Sequence, residues 1–424
     1  MLTHSVSRCI ADFNESTVMQ KMIILLISFF LITATTVNHA GSLTFLVLFF
    51  LGLTSLTTWK ILDKSEKYFL LGLALFFICV LLSLVNTENI ESGTKKLGKY
   101  MIFILSIPVY LLIRKHKVNY GQYIVPILIV SVIVMAVQAF YQINILEMER
   151  AKGAYNPLIL GAVAMTKAVI LIAAVLTLDY TVKQKAGLVI FVLLALYVSA
   201  VAGGRGIMLF VPLYALWLFV HYRKSLSLKA FVSISVALVI GASLLLSTDV
   251  MQSRIKRGID QYNNFISNPE QNPDKTDSIG LRANLWKDSV TIWTANPILG
   301  TGIGDFLKDS QALYKAGKSN ADHELTHAHS VYFNTLATTG MFGVVALLVF
   351  VFWLPLNMFR KMNKNEDDTY LSFYSLVGMS VILAYAEYGF FESLFSRNSF
   401  ILTFLVFLII FLTSIFNNTK NNNA

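Results

Sequence analysis

Charge is scarce in this 424-residue sequence: 14% of residues are Asp, Glu, Lys or Arg, where soluble domains carry about a quarter. With 56% of residues hydrophobic, there is more apolar surface than a water-soluble fold of this size could bury. Cysteine is rarer still. Cys9 lies in a polar leader and Cys79 inside an apolar block, which leaves no disulfide framework and no metal-ligand spacing. Internal repeats are missing, and the one low-complexity tract is the Asn-rich tail at 417–423. No small-residue cleavage pattern follows the polar first 21 residues, so the leader reads as a retained signal-anchor rather than a removed signal peptide.

What is present is a succession of long apolar blocks. They predict helices near 22–38, 42–58, 68–85, 100–113, 122–142, 157–179, 187–202, 207–221, 230–247, 330–356, 370–391 and 399–416. Most approach the roughly 17–25 residues that cross a hydrocarbon layer of ~30 Å. The expected fold class is an all-α integral membrane protein with about 12 transmembrane helices. Its expected division is 1–247 with nine spans, 248–329 as a polar loop containing an amphipathic helix, and 330–424 with three spans and a tail.

A formal charge of +10 could suggest nucleic acid, but the positions argue otherwise. Most basic residues stand in short runs between apolar blocks. With the N-terminus inside, the cytoplasmic connections hold 17 Lys and Arg, and the opposite connections, leaving out the long loop, hold 7. That asymmetry puts both termini in the cytoplasm and the long loop outside. The Lys95–Lys99 cluster is discordant, being basic on the outer side. It reads as charge tolerated beside Glu88 and Glu91, with contact to an anionic lipid head group as the alternative.

The segment from Ser247 to Ala328 is the one long polar stretch. Its nine basic and ten acidic residues nearly cancel, so it is no glove for a polyanion. Leu281, Leu285, Trp286, Ile292 and Trp293 give it an amphipathic helix that Ser278 caps and Asn296-Pro297 stops. Gly300, Gly302 and Gly304 then form a turn. A loop of this length with its own helix usually carries function.

Four features could carry chemistry. Arg205 lies in Ala202-Gly203-Gly204-Arg205-Gly206, where small neighbours let a ligand approach the backbone; the bland alternative is an interfacial arginine. Arg282 stands one turn before Trp286 and, taken alone, reads as a solvated charge. His323, His327 and His329 cluster within seven residues. His323 and His327, beside Asp322 and Glu324, have metal-ligand spacing, but further ligands for a closed shell are not evident. A general base fits better, since imidazole titrates nearest neutrality. Arg150 with Asn156-Pro157 reads equally as a cap and turn or as a ligand contact.

These residues also carry a resemblance. His329-Ser330, nine residues and Gly340-Met341-Phe342-Gly343 resembles the His-[Asn/Ser/Gln]-x9-Gly-x-x-[Gly/Thr/Tyr] signature of bacterial O-antigen ligases. Arg205-Gly-Ile-Met-Leu209 is similar to their Arg-x3-Leu motif. Leu281-Arg282-Ala283-Asn284-Leu285-Trp286, closing with Asn296-Pro297-Ile298-Leu299-Gly300-Thr301-Gly302, resembles the loop helix and Gly-rich turn of the wider ligase/polymerase superfamily. The likeness runs from about 150 to 345. It implies a GT-C-like, metal-independent, inverting glycosyltransferase of the bacterial inner membrane that needs no cofactor. The donor would be undecaprenyl-diphosphate-linked O-antigen and the acceptor a sugar hydroxyl of lipid A–core, joined at the periplasmic face. Membrane lipids would be its other partners, and nucleic acid would not be one. By position His329, Arg205 and Arg282 are the catalytic residues, with His327, Arg150, Asn156 and Trp286 assigned to substrate binding.

The chemistry suits those residue types. A positioned histidine removing a hydroxyl proton contributes roughly 10²–10⁴-fold, and guanidinium forks match the oxygens of a departing diphosphate. O-antigen polymerase and protein O-oligosaccharyltransferase use the same donor and are the close alternatives. A transporter is the more distant one. Lys167, midway along its apolar block, is the residue that would fit a transporter.

Overall fold

The computed structural model describes residues 10–222, 249–267, 278–320, 324–362 and 368–421. Among them there are helices and no strands. Helices occupy eleven of the twelve apolar blocks, and the twelfth, 230–247, lies outside the described residues. The spans are α1 (Val18–Thr33), α2 (Ala40–Leu53), α3 (Lys64–Leu82), α4 (Ile90–Lys115), α5 (Ile124–Asn144), α6 (Pro157–Thr177) and α7 (Val182–Ala202). The short α8 (Arg205–Met208) leads into α9 (Phe210–Tyr222). The polar segment supplies α10 (Asp249–Ser267), α11 (Ser278–Ala295) and α12 (Phe306–Lys315). The bundle then resumes with α13 (Val331–Ala346), α14 (Leu354–Met362), α15 (Thr369–Phe391) and α16 (Asn398–Asn421).

Eight of the described helices, counting continuous runs, are long and apolar enough to cross a membrane, and three more apolar helices are shorter. Among the described residues the fold is thus all-helical, and its apolar helices are those of a multi-pass membrane protein. The ends of its spans are set by side chains. Thr17 with Gln20 and Thr181 with Gln184 form reciprocal capping boxes, and Gly203 closes α7 at φ +76, a backbone that glycine adopts without steric cost. The two most enclosed spans are α16 and α6. Phe400, Phe404, Phe407 and Phe411 are fully buried along α16.

Two departures from the apolar pattern shape the site. Helix α4 begins at Ile90, about three turns before the apolar block expected from residue 100. Asn89 caps it by accepting the Ser92 amide at 3.0 Å, and the Asp305 carboxylate accepts the Glu88 and Asn89 amides at 2.7 and 2.8 Å. The polar first turns of α4 are therefore held against the α11–α12 segment. The block expected as one helix over 330–356 instead breaks at Gly340 (φ +64, ψ −163) and passes through a π-helical stretch at Leu347–Trp353.

The glycine turn fills that break. Thr301 and Gly302 amides donate to the Ala337 and Thr338 carbonyls, both at 3.1 Å, while Met341 and Phe342 amides donate back to Pro297 and Ile298. A Cβ at position 340 would stand 2.4 Å from the Ile298 carbonyl oxygen, so both the dihedral and the close approach call for glycine. The loop segment has its own small core, with Leu285, Ile292, Phe306, Ala328 and Ala337 buried together.

Candidate functional site

The histidine cluster lies where α13 meets α11 and α15, here called the loop end. The start of α13 is fastened to the end of α15. The Ser330 hydroxyl donates to the Gly389 carbonyl and the Ser393 hydroxyl to the Ser330 carbonyl, each at 3.2 Å, and Tyr332 donates to Ala386 at 2.6 Å. These contacts place His329 opposite Glu392, with Nδ1 3.4 Å from Oε2. The pair stands at ion-pair distance without hydrogen-bond alignment, and neither atom has another hydrogen-bond partner. Glu392 is almost fully buried, while His329 keeps 21% of its side chain exposed.

His329 has a left-handed backbone at φ +49, a conformation that costs a non-glycine residue on the order of 1–3 kcal/mol and persists where surroundings impose it. Its amide donates to His327 Nδ1 at 3.4 Å, and the two rings stand 4.5 Å apart, edge to face. The Ala328 amide donates to the Asn334 side chain at 3.3 Å. Trp286 on α11 donates its indole N–H to the Ala328 carbonyl at 3.2 Å and stacks on Phe333 at 4.9 Å. The loop is thus held from both sides of residue 328.

The electrostatics follow from burial. Desolvation pushes His327 down to about 4, with His329, Arg397 and Lys96 adding to the effect and Glu392 opposing it. His327 is therefore neutral at pH 7, as its role as an acceptor for the His329 amide requires. Burial alone would lift the Glu392 carboxyl, but His329, His327 and Arg397 hold it below its ordinary value. A buried carboxylate facing Nδ1 favours the tautomer protonated there, which leaves Nε2 as the proton acceptor.

The expected site residues are distributed as follows. His329 and His327 are in the cluster. Trp286 packs beneath it, and Arg282 lies half-buried one turn earlier on α11. Arg205 is the first residue of α8, directly after the Gly204 cap, and its neighbour Gly206 fits against Phe391, where a Cβ would meet the ring at 2.4 Å. The Arg205 backbone is thereby brought beside the residue that precedes Glu392. The Arg205 side chain and the whole of His323 lie outside the described residues. Arg150 approaches the same corner, because the next amide, Ala151, donates to Val201 at the end of α7. Asn156 is the cap of α6, accepting the Leu158 amide at 2.8 Å.

Glu392 was not among the residues expected from the sequence, nor were Arg397, Lys96 and Lys99 as members of the site. Arg397 acts electrostatically on both Glu392 and His327, and its buried Nε has no hydrogen-bond partner. Lys99 donates to the Ser396 carbonyl at 2.7 Å and Lys96 to the Thr326 carbonyl at 3.0 Å. Only Lys95 behaves as tolerated charge, paired with Glu91. His327, His329 and Glu392 also bring three ligand atoms within 4.8 Å of one another. Those groups differ from the His323–His327 pair that the sequence spacing suggested, and His327 Nδ1 is already engaged by the His329 amide.

Residues 188–348 match a family model described as O-antigen ligase. Over that stretch the chain is similar to the O-antigen ligase/polymerase superfamily. The matched stretch of the superfamily domain runs from α7 into the π-helical segment and includes Arg205, Arg282, His329 and Gly340, but it ends before Glu392. An uncharacterized protein of Haemophilus influenzae is 22% identical over 393 residues, covering 88% of this chain and 94% of that protein.

Proposed function

We propose that the protein is an O-antigen ligase: an inverting, metal-independent glycosyltransferase acting at the periplasmic face of the inner membrane. It would move O-antigen polysaccharide from undecaprenyl diphosphate to a sugar hydroxyl of lipid A–core. The observation that carries the reading is the His329–Glu392 pair, built on the signature histidine within the superfamily's matched domain. The proposed step is one displacement. His329 Nε2 takes the acceptor hydroxyl proton as the oxygen attacks the anomeric carbon, and the bond to the diphosphate oxygen breaks with its electron pair. Arg205 and Arg282 are assigned to the negative charge that grows on the leaving diphosphate. Glu392 orients the imidazole and stabilises the imidazolium as it forms. Trp286 acts as a positioning residue through Ala328, and Asn156 through the α6 cap.

Lys167 does not favour the transporter alternative. Its ammonium is enclosed and donates to the Leu31 carbonyl at 3.1 Å and to the Ser131 hydroxyl at 2.6 Å, which ties α6 to α1 and α5. The test is replacement of the chromosomal gene by a His329→Ala allele in a strain that makes O-antigen. The expected result is bare lipid A–core and accumulated lipid-linked polymer, with protein abundance unchanged. Core carrying single repeat units would mean a polymerase, and normally decorated core would reject the assignment. Transfer by purified protein that survives EDTA treatment is expected. Loss restored by one divalent ion would instead give His327, His329 and Glu392 to a metal.

A further inference from the structure

The polar first turns of α4 and one face of α12 enclose a cleft of about 440 Å³ beside the histidine loop. Its walls carry Asn89, Ser92 and Lys96 on one side and Lys308, Gln311 and Lys315 on the other. Both sets recur at three- or four-residue spacing, as residues on one helix face do. We propose that this cleft is a subsite for an anionic sugar, one bearing a phosphate or carboxylate group, presented to the catalytic centre during transfer.

Three observations support that ligand class. Ammonium groups enter from three positions on two elements, whereas no carboxylate lines the cleft. Of the nearby acids, Asp305 accepts the Glu88 and Asn89 amides and Glu91 pairs with Lys95, while Glu88 pairs with the cleft's own Lys308, which Asp309 also faces, so the lysines left for a ligand are Lys96 and Lys315. Among the described residues, Lys96 and Lys315 pair with no carboxylate. The amides of Asn89 and Gln311 and the Ser92 hydroxyl are the groups that recognise sugar hydroxyls, and the volume lies in the range of small-molecule sites. Finally, Lys96 bridges the cleft to the site through the Thr326 carbonyl, next to His327. A ligand held by Lys96 would therefore sit against the loop that positions His329.

This inference rests on the glycosyl-transfer reading, so its test is a binding measurement that needs no turnover. Full-length His329→Ala protein in zwitterionic nanodiscs is titrated with three probes. They are core oligosaccharide with its phosphates, the same material dephosphorylated by hydrofluoric acid, and an acidic oligosaccharide of the donor repeat. Adding Lys96→Gln and Lys315→Gln is expected to weaken binding of an anionic probe by roughly tenfold or more, as loss of charge-assisted hydrogen bonds does. The dephosphorylated core should be unaffected, and the corresponding Arg variants should retain most of the affinity. Lysine dependence seen with the phosphorylated core assigns the cleft to the acceptor; seen with the donor oligosaccharide, it assigns it to the donor. Equal affinities for all three probes with and without the lysines would overturn the proposal. Lysine-dependent binding, when a strain carrying the unmutated protein and one lacking it decorate core alike, would sink the ligase reading and leave the cleft standing.

Discussion

The two ends of the bundle each bury a carboxylate beside a group that can be cationic, and they treat it in opposite ways. At the far end, Glu66 accepts from Tyr110 at 2.7 Å, from Arg114 at 2.5 and 3.2 Å, and from the Asp63 amide at 3.0 Å. Arg114 also reaches Asn417 on α16. Every part of that pair is occupied, and three helices, α3, α4 and α16, are pinned by it. At the loop end, Glu392 accepts from the Ser393 amide at 3.1 Å with one oxygen and holds the other 3.4 Å from His329, without alignment. A saturated buried pair fixes structure. An under-used one, beside a strained and partly exposed histidine, is left able to change its protonation during a reaction.

That contrast gives the largest expected effect. Glu392→Gln keeps the shape and removes the charge, so it should lower transfer by about 10²–10⁴-fold with little loss of stability. The measurement is turnover by purified protein alongside its melting temperature; near-wild-type turnover would reduce Glu392 to a structural group like Glu66. The mirror experiment is Glu66→Ala. Leaving the Arg114 guanidinium buried without its carboxylate should cost about 3–5 kcal/mol, read as a lower melting temperature and poorer accumulation in the membrane. The fraction that remains folded should turn over normally, and a selective loss of turnover would break the comparison.

Acidification separates two groups at the loop end. His327 is held neutral down to about 4 against an ordinary 6.5, so an unfolded chain binds that proton first. Stability should fall as pH drops from about 6.5 to about 4 and level off below. Glu392 has a folded value below its ordinary one, so its contribution is present above the ordinary carboxylate range and disappears as pH falls through the folded value. Melting curves of wild type, His327→Gln and Glu392→Gln across this range should show the first variant losing the upper limb and the second the lower. Identical pH dependence in all three would place the titrating groups elsewhere.

How much of this was legible in the sequence depends on the kind of signal each part carries. Spans announce themselves as apolar runs because the bilayer demands length and composition together, and each of the eleven blocks within the described residues is helical. His329 and Gly340 stood out through the resemblance to the ligase signature, and the structure puts one helical segment between the histidine and the break where the glycine turn docks. Glu392 was not legible. It lies 63 positions later at the exit of an apolar helix, where a single acid reads as a boundary, and the packing of Ser330 and Tyr332 on the end of α15 brings it to the histidine. Lys96 and Lys99 were hidden for a different reason, since a basic cluster beside Glu88 and Glu91 reads as tolerated charge. Trp286 was assigned to substrate binding from its place in the loop motif, and the structure adds a hydrogen bond from its indole to the Ala328 carbonyl that the sequence does not announce.

That use of Trp286 supplies the smallest test of the contrast between the ends. The far-end pair needs no outside support, because its own hydrogen bonds are complete. The loop-end pair depends on how residues 327–329 are held, and one of their restraints is the single bond from the Trp286 indole to Ala328. Trp286→Phe keeps a ring to stack on Phe333 and removes that donor, a change worth about 1 kcal/mol. If Trp286 acts by positioning, turnover number should fall a few-fold while the KM for both substrates stays constant. A rise in acceptor or donor KM at unchanged turnover number would instead make the indole a substrate contact, as its place in the loop motif first suggested.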